Sequence, residues 1–88
     1  MKIKDNFILK EVAGNYIIVP LSGNYDLNSM ITINESAVCL FNALTKGATK
    51  DELVLALKAE YPDVDDEIAS EDIDAFLEQL RKNSMLDE

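Results

Sequence analysis

The chain has 88 residues, of which 48% are hydrophobic, and this length supports one domain with a small core. Seventeen acidic residues against eight basic ones give a net charge of −9, which disfavours binding to a phosphate backbone. There is one cysteine, no histidine and no apolar run near the ~20 residues of a membrane span, which argues against zinc sites, histidine-based catalysis and membrane insertion.

The N-terminal ten residues contain lysines but only three consecutive apolar residues, Phe7 to Leu9. This run is too short for the apolar region of a signal peptide. We therefore expect a cytoplasmic protein whose residues 1–88 form a single domain.

The first half of the chain predicts strands. Residues 6–21 predict two strands joined at Ala13-Gly14-Asn15, because glycine and asparagine tolerate the positive φ of a tight hairpin. The second strand contains the β-branched and aromatic run 16–19 and ends at Pro20, which cannot donate to a ladder. A polar connection at residues 22–29 precedes MITI, residues 30–33, which predicts a third strand. The simplest arrangement is a three-stranded antiparallel meander.

The second half predicts three helices. Asn34 is a suitable N-cap for the first helix, which is apolar on nearly every side and ends at Gly47. Thr49 and Glu52 form a capping box for the second helix, and Pro62 ends it. Asp65 can cap the third helix, whose apolar residues are spaced at three and four: Ile68, Ala69, Ile73, Phe76, Leu77 and Leu80.

Strands grouped before helices predict an α+β fold, similar in element order to a winged helix-turn-helix. In this arrangement the first helix can be apolar all round, since the sheet covers one side and the other helices cover the opposite side. Met85 and Leu86, near the C-terminus, are expected to pack back onto the core.

The residues capable of chemistry do not combine into a catalytic or metal site. Cys39 lies in the most apolar helix, so we interpret it as a small buried side chain. Acids at 63, 65, 67 and 74 partly match an EF-hand loop, but Ile68 stands where that loop needs glycine, and helix capping explains the same acids. The three glycines are isolated, so they form no phosphate-binding loop. We expect neither an enzyme nor a bound cofactor or metal.

A winged-helix DNA-binding domain would have the same order of elements, with the third helix as its recognition helix. That helix carries many acids, and Arg81 and Lys82 lie only near its end. Base recognition normally needs basic or amide side chains surrounded by phosphate contacts. We therefore do not expect a nucleic-acid partner.

The predicted third strand has an unusual edge. If the second strand is central, residues 30–33 form an edge without the charge or proline that usually protects one. Such an edge can accept a strand from a partner, pair with a second copy in a homodimer, or be covered by the chain itself.

The whole chain resembles the PqqD family of peptide chaperones, also called recognition elements for ribosomally synthesised and post-translationally modified peptides (RiPPs). The resemblance rests on the order of four segments: a hairpin with YIIV, then ITINESAVCLFNAL, then KGATKDELVLALKAEYPDVD, and finally EDIDAFLEQLRKNSML. The chain departs from the family at Asn83-Ser84-Met85, where glycine and leucine are more usual.

The resemblance implies a non-catalytic protein that binds the leader of a precursor peptide and presents it to a modifying enzyme, often a radical SAM enzyme, in a pathway to pyrroloquinoline quinone (PQQ) or another RiPP. The leader would add as a strand beside the third strand and lie against the third helix. A winged-helix DNA-binding domain and a structural dimerisation domain are the alternatives. The peptide-binding residues implied are Met30, Ile31, Thr32 and Ile33 in the strand and Asp72, Phe76, Gln79 and Asn83 on the helix.

Overall fold

A computed structural model of the protein describes residues 1–21 and 30–88. It has the predicted α+β fold, in which four strands precede three helices and a short fifth strand follows them. The elements in chain order are β1 (Lys2–Ile3), β2 (Phe7–Val12), β3 (Asn15–Pro20), β4 (Ile31–Ile33), α1 (Glu35–Thr45), α2 (Lys50–Glu60), α3 (Asp66–Lys82) and β5 (Leu86–Asp87).

The main sheet is the predicted antiparallel meander, with strand order β2-β3-β4. The hairpin turn is one residue shorter than predicted, because Asn15 pairs with Val12 inside the ladder. Ala13 and Gly14 form the turn, with φ of 52° and 82°. A two-residue turn that matches the right-handed twist of the strands requires positive φ at both positions. The polar connection predicted at residues 22–29 lies outside the described residues.

The three predicted helix starts are confirmed. The Asn34 side chain accepts a hydrogen bond from the Ala37 N–H at 2.9 Å, and the Asp65 side chain accepts one from the Glu67 N–H at 2.9 Å. At α2 the Thr49 hydroxyl accepts from the Glu52 N–H, and the Glu52 carboxylate accepts from the Thr49 N–H. Both bonds of the predicted capping box are therefore present, and they satisfy N–H groups that lack partners within the helix.

A single core joins the sheet to all three helices. The first helix contributes one buried stripe to this core, in which Leu40, Phe41 and Leu44 are at most 3% exposed; the helix is less enclosed than predicted, since its Asn42 and Thr45 are exposed. Ile68, the first of the apolar residues spaced along the third helix, does not join the buried stripe, since its side chain is 52% exposed. The buried stripe of α3 begins at Ala69, and Ile68 lies about 100° around the helix from it, on the solvent side.

A second, two-stranded sheet joins the two ends of the described chain and was not predicted. β1 pairs antiparallel with β5, with Ile3 opposite Leu86. The Lys4 N–H also donates to the Met85 carbonyl at 3.0 Å. Met85 and Leu86 are buried, which confirms that they pack back onto the core. Strands of two residues are too short for a detectable alternation of apolar and polar side chains, so no local pattern predicts this sheet.

The capping box provides a direct test of how the second helix is stabilised. Replacing Thr49 with alanine should lower the free energy of unfolding by about 1 kcal/mol, because an N–H of the first turn loses its acceptor. Urea denaturation followed by circular dichroism measures the change. Thr45→Ala is the control: its hydroxyl donates to the Asn42 carbonyl at the end of α1 and caps no N–H, so we expect a change below about 0.5 kcal/mol. Equal losses in the two variants would contradict the capping role.

Candidate functional site

The outer edge of β4 is open in the part of the chain that the structure describes. β3 pairs with one side of β4, and no strand within residues 1–21 and 30–88 pairs with the other side. Ile31 and Ile33 are 9% and 7% exposed and anchor the strand in the core, whereas the Thr32 side chain is exposed. In an antiparallel edge strand, alternate residues direct N–H and C=O away from the neighbouring strand. β4 can therefore offer backbone hydrogen bonds to a partner.

Beside this edge lies a groove of about 280 Å³ between the end of β4, the start of α1 and the face of α3. We call it the α3 groove. Its floor is apolar and buried, and its rim consists of small or polar side chains, mostly exposed. The floor residues are Ile33, Ala37, Leu40, Leu57 and Phe76, and the rim residues are Thr32, Asn34, Ser36, Asp72, Ala75 and Gln79. An apolar pocket with a few polar groups at its mouth suits an apolar side chain that enters from a polar backbone.

The junction between β4 and α1 fixes one end of the α3 groove. Asn34 follows β4 directly, and its Oδ1 accepts hydrogen bonds from the Ala37 N–H and the Ser36 hydroxyl, each at 2.9 Å. Because these bonds hold the turn from strand to helix, they set the position of Ala37 relative to Ile33 on the groove floor.

Five of the eight residues predicted for the site line the α3 groove: Thr32, Ile33, Asp72, Phe76 and Gln79. Phe76 is 6% exposed and belongs to the core, so only part of its surface forms the floor. Met30, Ile31 and Asn83 are not among the lining residues. Asn83 follows the end of α3, where its side-chain amide donates to the Gln79 carbonyl at 2.8 Å. Contact of any of the eight with a peptide stays a prediction.

Six lining residues were not predicted. Ala75 had a usable signal, because it is three residues after Asp72 and four before Gln79 and so shares their side of α3. Ala37 and Leu40 had none, since α1 is apolar on nearly every side and its sequence does not distinguish the groove from the core. Leu57 was predicted only as part of the packed second helix. The other two, Asn34 and Ser36, lie at the β4–α1 junction, where the sequence predicts helix capping.

A second groove, of about 540 Å³, lies at the turn end of the hairpin and shares residues 32–34 with the first. We call it the hairpin groove. Gly14, Asn15, Tyr16 and Glu35 complete its lining. The Tyr16 phenol has a raised pKa, chiefly because of the negative charge of Glu11 on the paired strand, then through partial desolvation and the charge of Glu35. The surroundings of Tyr16 are thus acidic.

Outside the two grooves, the cysteine and the paired carboxylates make contacts within the fold. The Cys39 thiol contacts the Ala56 carbonyl at 3.4 Å, and burial raises its pKa, so it is less readily ionised than a free thiol. Asp66 pairs with Lys58, and Asp74 pairs with Lys50. Within residues 1–21 and 30–88 no three acidic, cysteine or histidine side chains are arranged to hold a metal ion. No helix in the same ranges is long and apolar enough to cross a membrane.

The structure is thus an α+β domain with an open edge strand beside an apolar groove, and an edge of this kind can pair with an added strand. The chain belongs to the PqqD family, described as coenzyme PQQ synthesis protein D, whose model matches residues 15–86. This match confirms the family that the sequence resembles.

Two solved structures share the fold. TbiB1 in complex with the TbiA(beta) leader peptide is 23% identical, with a TM-score of 0.75, and the alignment covers 99% of this chain and 95% of that one. Lasso peptide synthetase B1 complexed with the leader peptide is 18% identical, with a TM-score of 0.70 and coverage of 96% and 93%. No curated protein matches the sequence significantly.

Proposed function

We propose that this protein binds the leader segment of a ribosomally synthesised precursor peptide. The leader pairs as an additional strand with the outer edge of β4 and places an apolar side chain in the α3 groove. The observation that carries the proposal is the position of an open edge strand beside an apolar groove. Backbone hydrogen bonds to β4 provide affinity for any extended peptide, and the groove selects among side chains.

The family and the two similar structures support this function, since both structures are complexes with a leader peptide. By analogy, the protein itself carries out no chemistry and presents the bound precursor to a modifying enzyme, such as a radical SAM enzyme. The pathway would be that of PQQ or of another modified peptide.

A second use of the same edge is pairing with another copy of this chain along β4, which the open edge also permits. The charge of α3 does not favour the DNA-binding alternative. Its exposed acids include Glu67, Glu71 and Glu78, and Arg81 near its end is paired with Glu88 at 2.8 Å. Phosphate groups would meet mainly negative charge on this helix.

The test is an NMR titration of the isotopically labelled protein with synthetic peptides translated from short reading frames that flank its gene. We expect one peptide to bind saturably and to shift backbone amides of residues 30–34 and of residues 69–83, which comprise most of α3 and its C-cap. Amides of α2 on the side away from the groove, such as Ala59, serve as internal controls and should not move.

The results of this titration and of a mass measurement distinguish peptide binding at β4 from peptide binding elsewhere and from homodimerisation. Saturable binding that leaves β4 and α3 unshifted would overturn the proposed site while keeping a peptide partner. Absence of binding by every flanking peptide would overturn the proposed function. Size-exclusion chromatography with light scattering over a range of protein concentrations tests the homodimer, because strand pairing between copies would double the mass and block the peptide.

A further inference from the structure

The acidic residues of α3 fall into two groups according to whether the fold neutralises them. Asp66 and Asp74 are paired with lysines of α2: Lys58 contacts Asp66, and the Lys50 ammonium lies 2.9 Å from an Asp74 carboxylate oxygen. Both pairs link α2 to α3 at the protein surface. They account for two acids of the helix without a partner molecule.

Asp72 belongs to the other group. It lies on the rim of the α3 groove, is exposed, and forms no ion pair within the described residues. It is the only charged side chain among the described residues that line this groove. An occupant of the groove therefore meets an apolar floor and, at the mouth, one negative charge that no described basic residue neutralises.

The hairpin groove, which also includes the end of β4, likewise has one acidic residue among its described lining residues. Glu35 is the only charged residue among those described in its lining, and the charges of Glu11 and Glu35 both act on the Tyr16 phenol. The ring of a tyrosine attracts a cation over its face. Both grooves share residues 32–34, so a strand paired with the end of β4 lies beside residues that line the groove of Asp72 and the groove of Glu35.

We propose that the peptide bound by this protein carries basic side chains where it crosses the end of β4, one directed at Asp72 and one at Glu35 beside Tyr16, next to the apolar residue that fills the α3 groove. This inference rests on the proposed function and specifies the chemistry of its partner. Pairs at a solvent-exposed rim add little affinity, and they contribute mainly to selectivity and to the rate of association. The net charge of −9 acts in the same direction, by attracting a cationic segment.

The test uses a display library of random 12-residue peptides, selected separately on the wild-type protein and on three variants. Asp72→Asn and Glu35→Gln each remove one rim charge with little change of shape. Glu71→Gln is the matched control, because Glu71 is an exposed acid of the same helix that lines neither groove and forms no ion pair within the described residues. Circular dichroism checks that all three variants fold.

We expect peptides selected on the wild type to carry lysine or arginine at two fixed distances from an apolar residue. The Asp72→Asn selection should lose one enriched position, the Glu35→Gln selection should lose the other, and the Glu71→Gln selection should keep both. For a selected peptide, replacing the first basic residue with glutamine should weaken binding to the wild type about three- to fivefold and leave binding to Asp72→Asn unchanged.

Selected peptides without a positional preference for basic residues, or a preference that Asp72→Asn and Glu35→Gln leave intact, would overturn this inference while the proposed function stands. Failure to select any peptide on the wild type would overturn the proposed function and, with it, this inference.

Discussion

Replacing Thr32 with proline should weaken peptide binding by about 30-fold and leave the protein folded. The ladder between β3 and β4 extends from Ile31 to Ile33. Beyond its two ends, no backbone hydrogen bond joins Asn34 to Asn15 or Met30 to Val19. We infer that the bonds to β3 are made at Ile31 and Ile33, and that Thr32 directs its N–H and C=O outward.

Proline is tolerated at the solvent side of an edge strand because the lost N–H had no partner within the sheet. A peptide strand bound to the Thr32→Pro variant would lose this N–H donor, and the peptide carbonyl that accepts from it would be left unpaired. Together these losses amount to about 2 kcal/mol of binding free energy, which corresponds to the 30-fold change. Isothermal titration calorimetry with the peptide identified by NMR measures the affinity.

Thr32→Val is the matched control, since it retains the N–H and the β-branched shape and should bind within about twofold of the wild type. Urea denaturation of both variants shows whether the ladder is intact. A folded Thr32→Pro variant that binds like the wild type would rule out strand addition at β4. An unfolded variant would instead contradict the inferred direction of the Thr32 N–H.

The helix starts and the meander were predictable because their signals are local. Asn34, Thr49 and Asp65 are capping residues at the positions where the structure uses them, and Pro20 ends β3 as expected. The pairing of β1 with β5 was not predictable, because it joins two-residue strands from opposite ends of the sequence. Local patterns carry no information about such a distant contact.

The contributions of β4 and α3 to the candidate site were predicted, whereas the floor residues from α1 and α2 were not. The uncharged edge pointed to β4 as a binding strand, and the resemblance to the PqqD family implied Asp72, Phe76 and Gln79 of α3 as its neighbours; these three residues and Thr32 and Ile33 of β4 do line one groove. The floor depends on which apolar residues of α1 and α2 are left partly uncovered after packing. Leu40 and Leu57 are each 2% exposed, and nothing in the sequence separates them from core residues such as Leu44 and Leu53.

Filling the α3 groove tests whether it holds a side chain of the peptide. Ala75 lies on the rim and is exposed, so replacing it with phenylalanine adds a large apolar side chain without disturbing the core. We expect the affinity for the peptide to fall by about 150-fold, because burying an apolar side chain contributes about 3 kcal/mol and the blocked groove cannot accept one. Calorimetry with the same peptide measures the loss.

Ala59→Phe is the matched control for the groove. Ala59 is an exposed alanine within α2 that lines neither groove, so the same substitution there should leave the affinity within about twofold. Thr32→Pro and Ala75→Phe together separate the two parts of the site, since the first removes a backbone donor and the second only occupies space. If Ala75→Phe binds normally while Thr32→Pro does not, the peptide is held by its backbone at β4, and its selectivity comes from a surface other than the α3 groove.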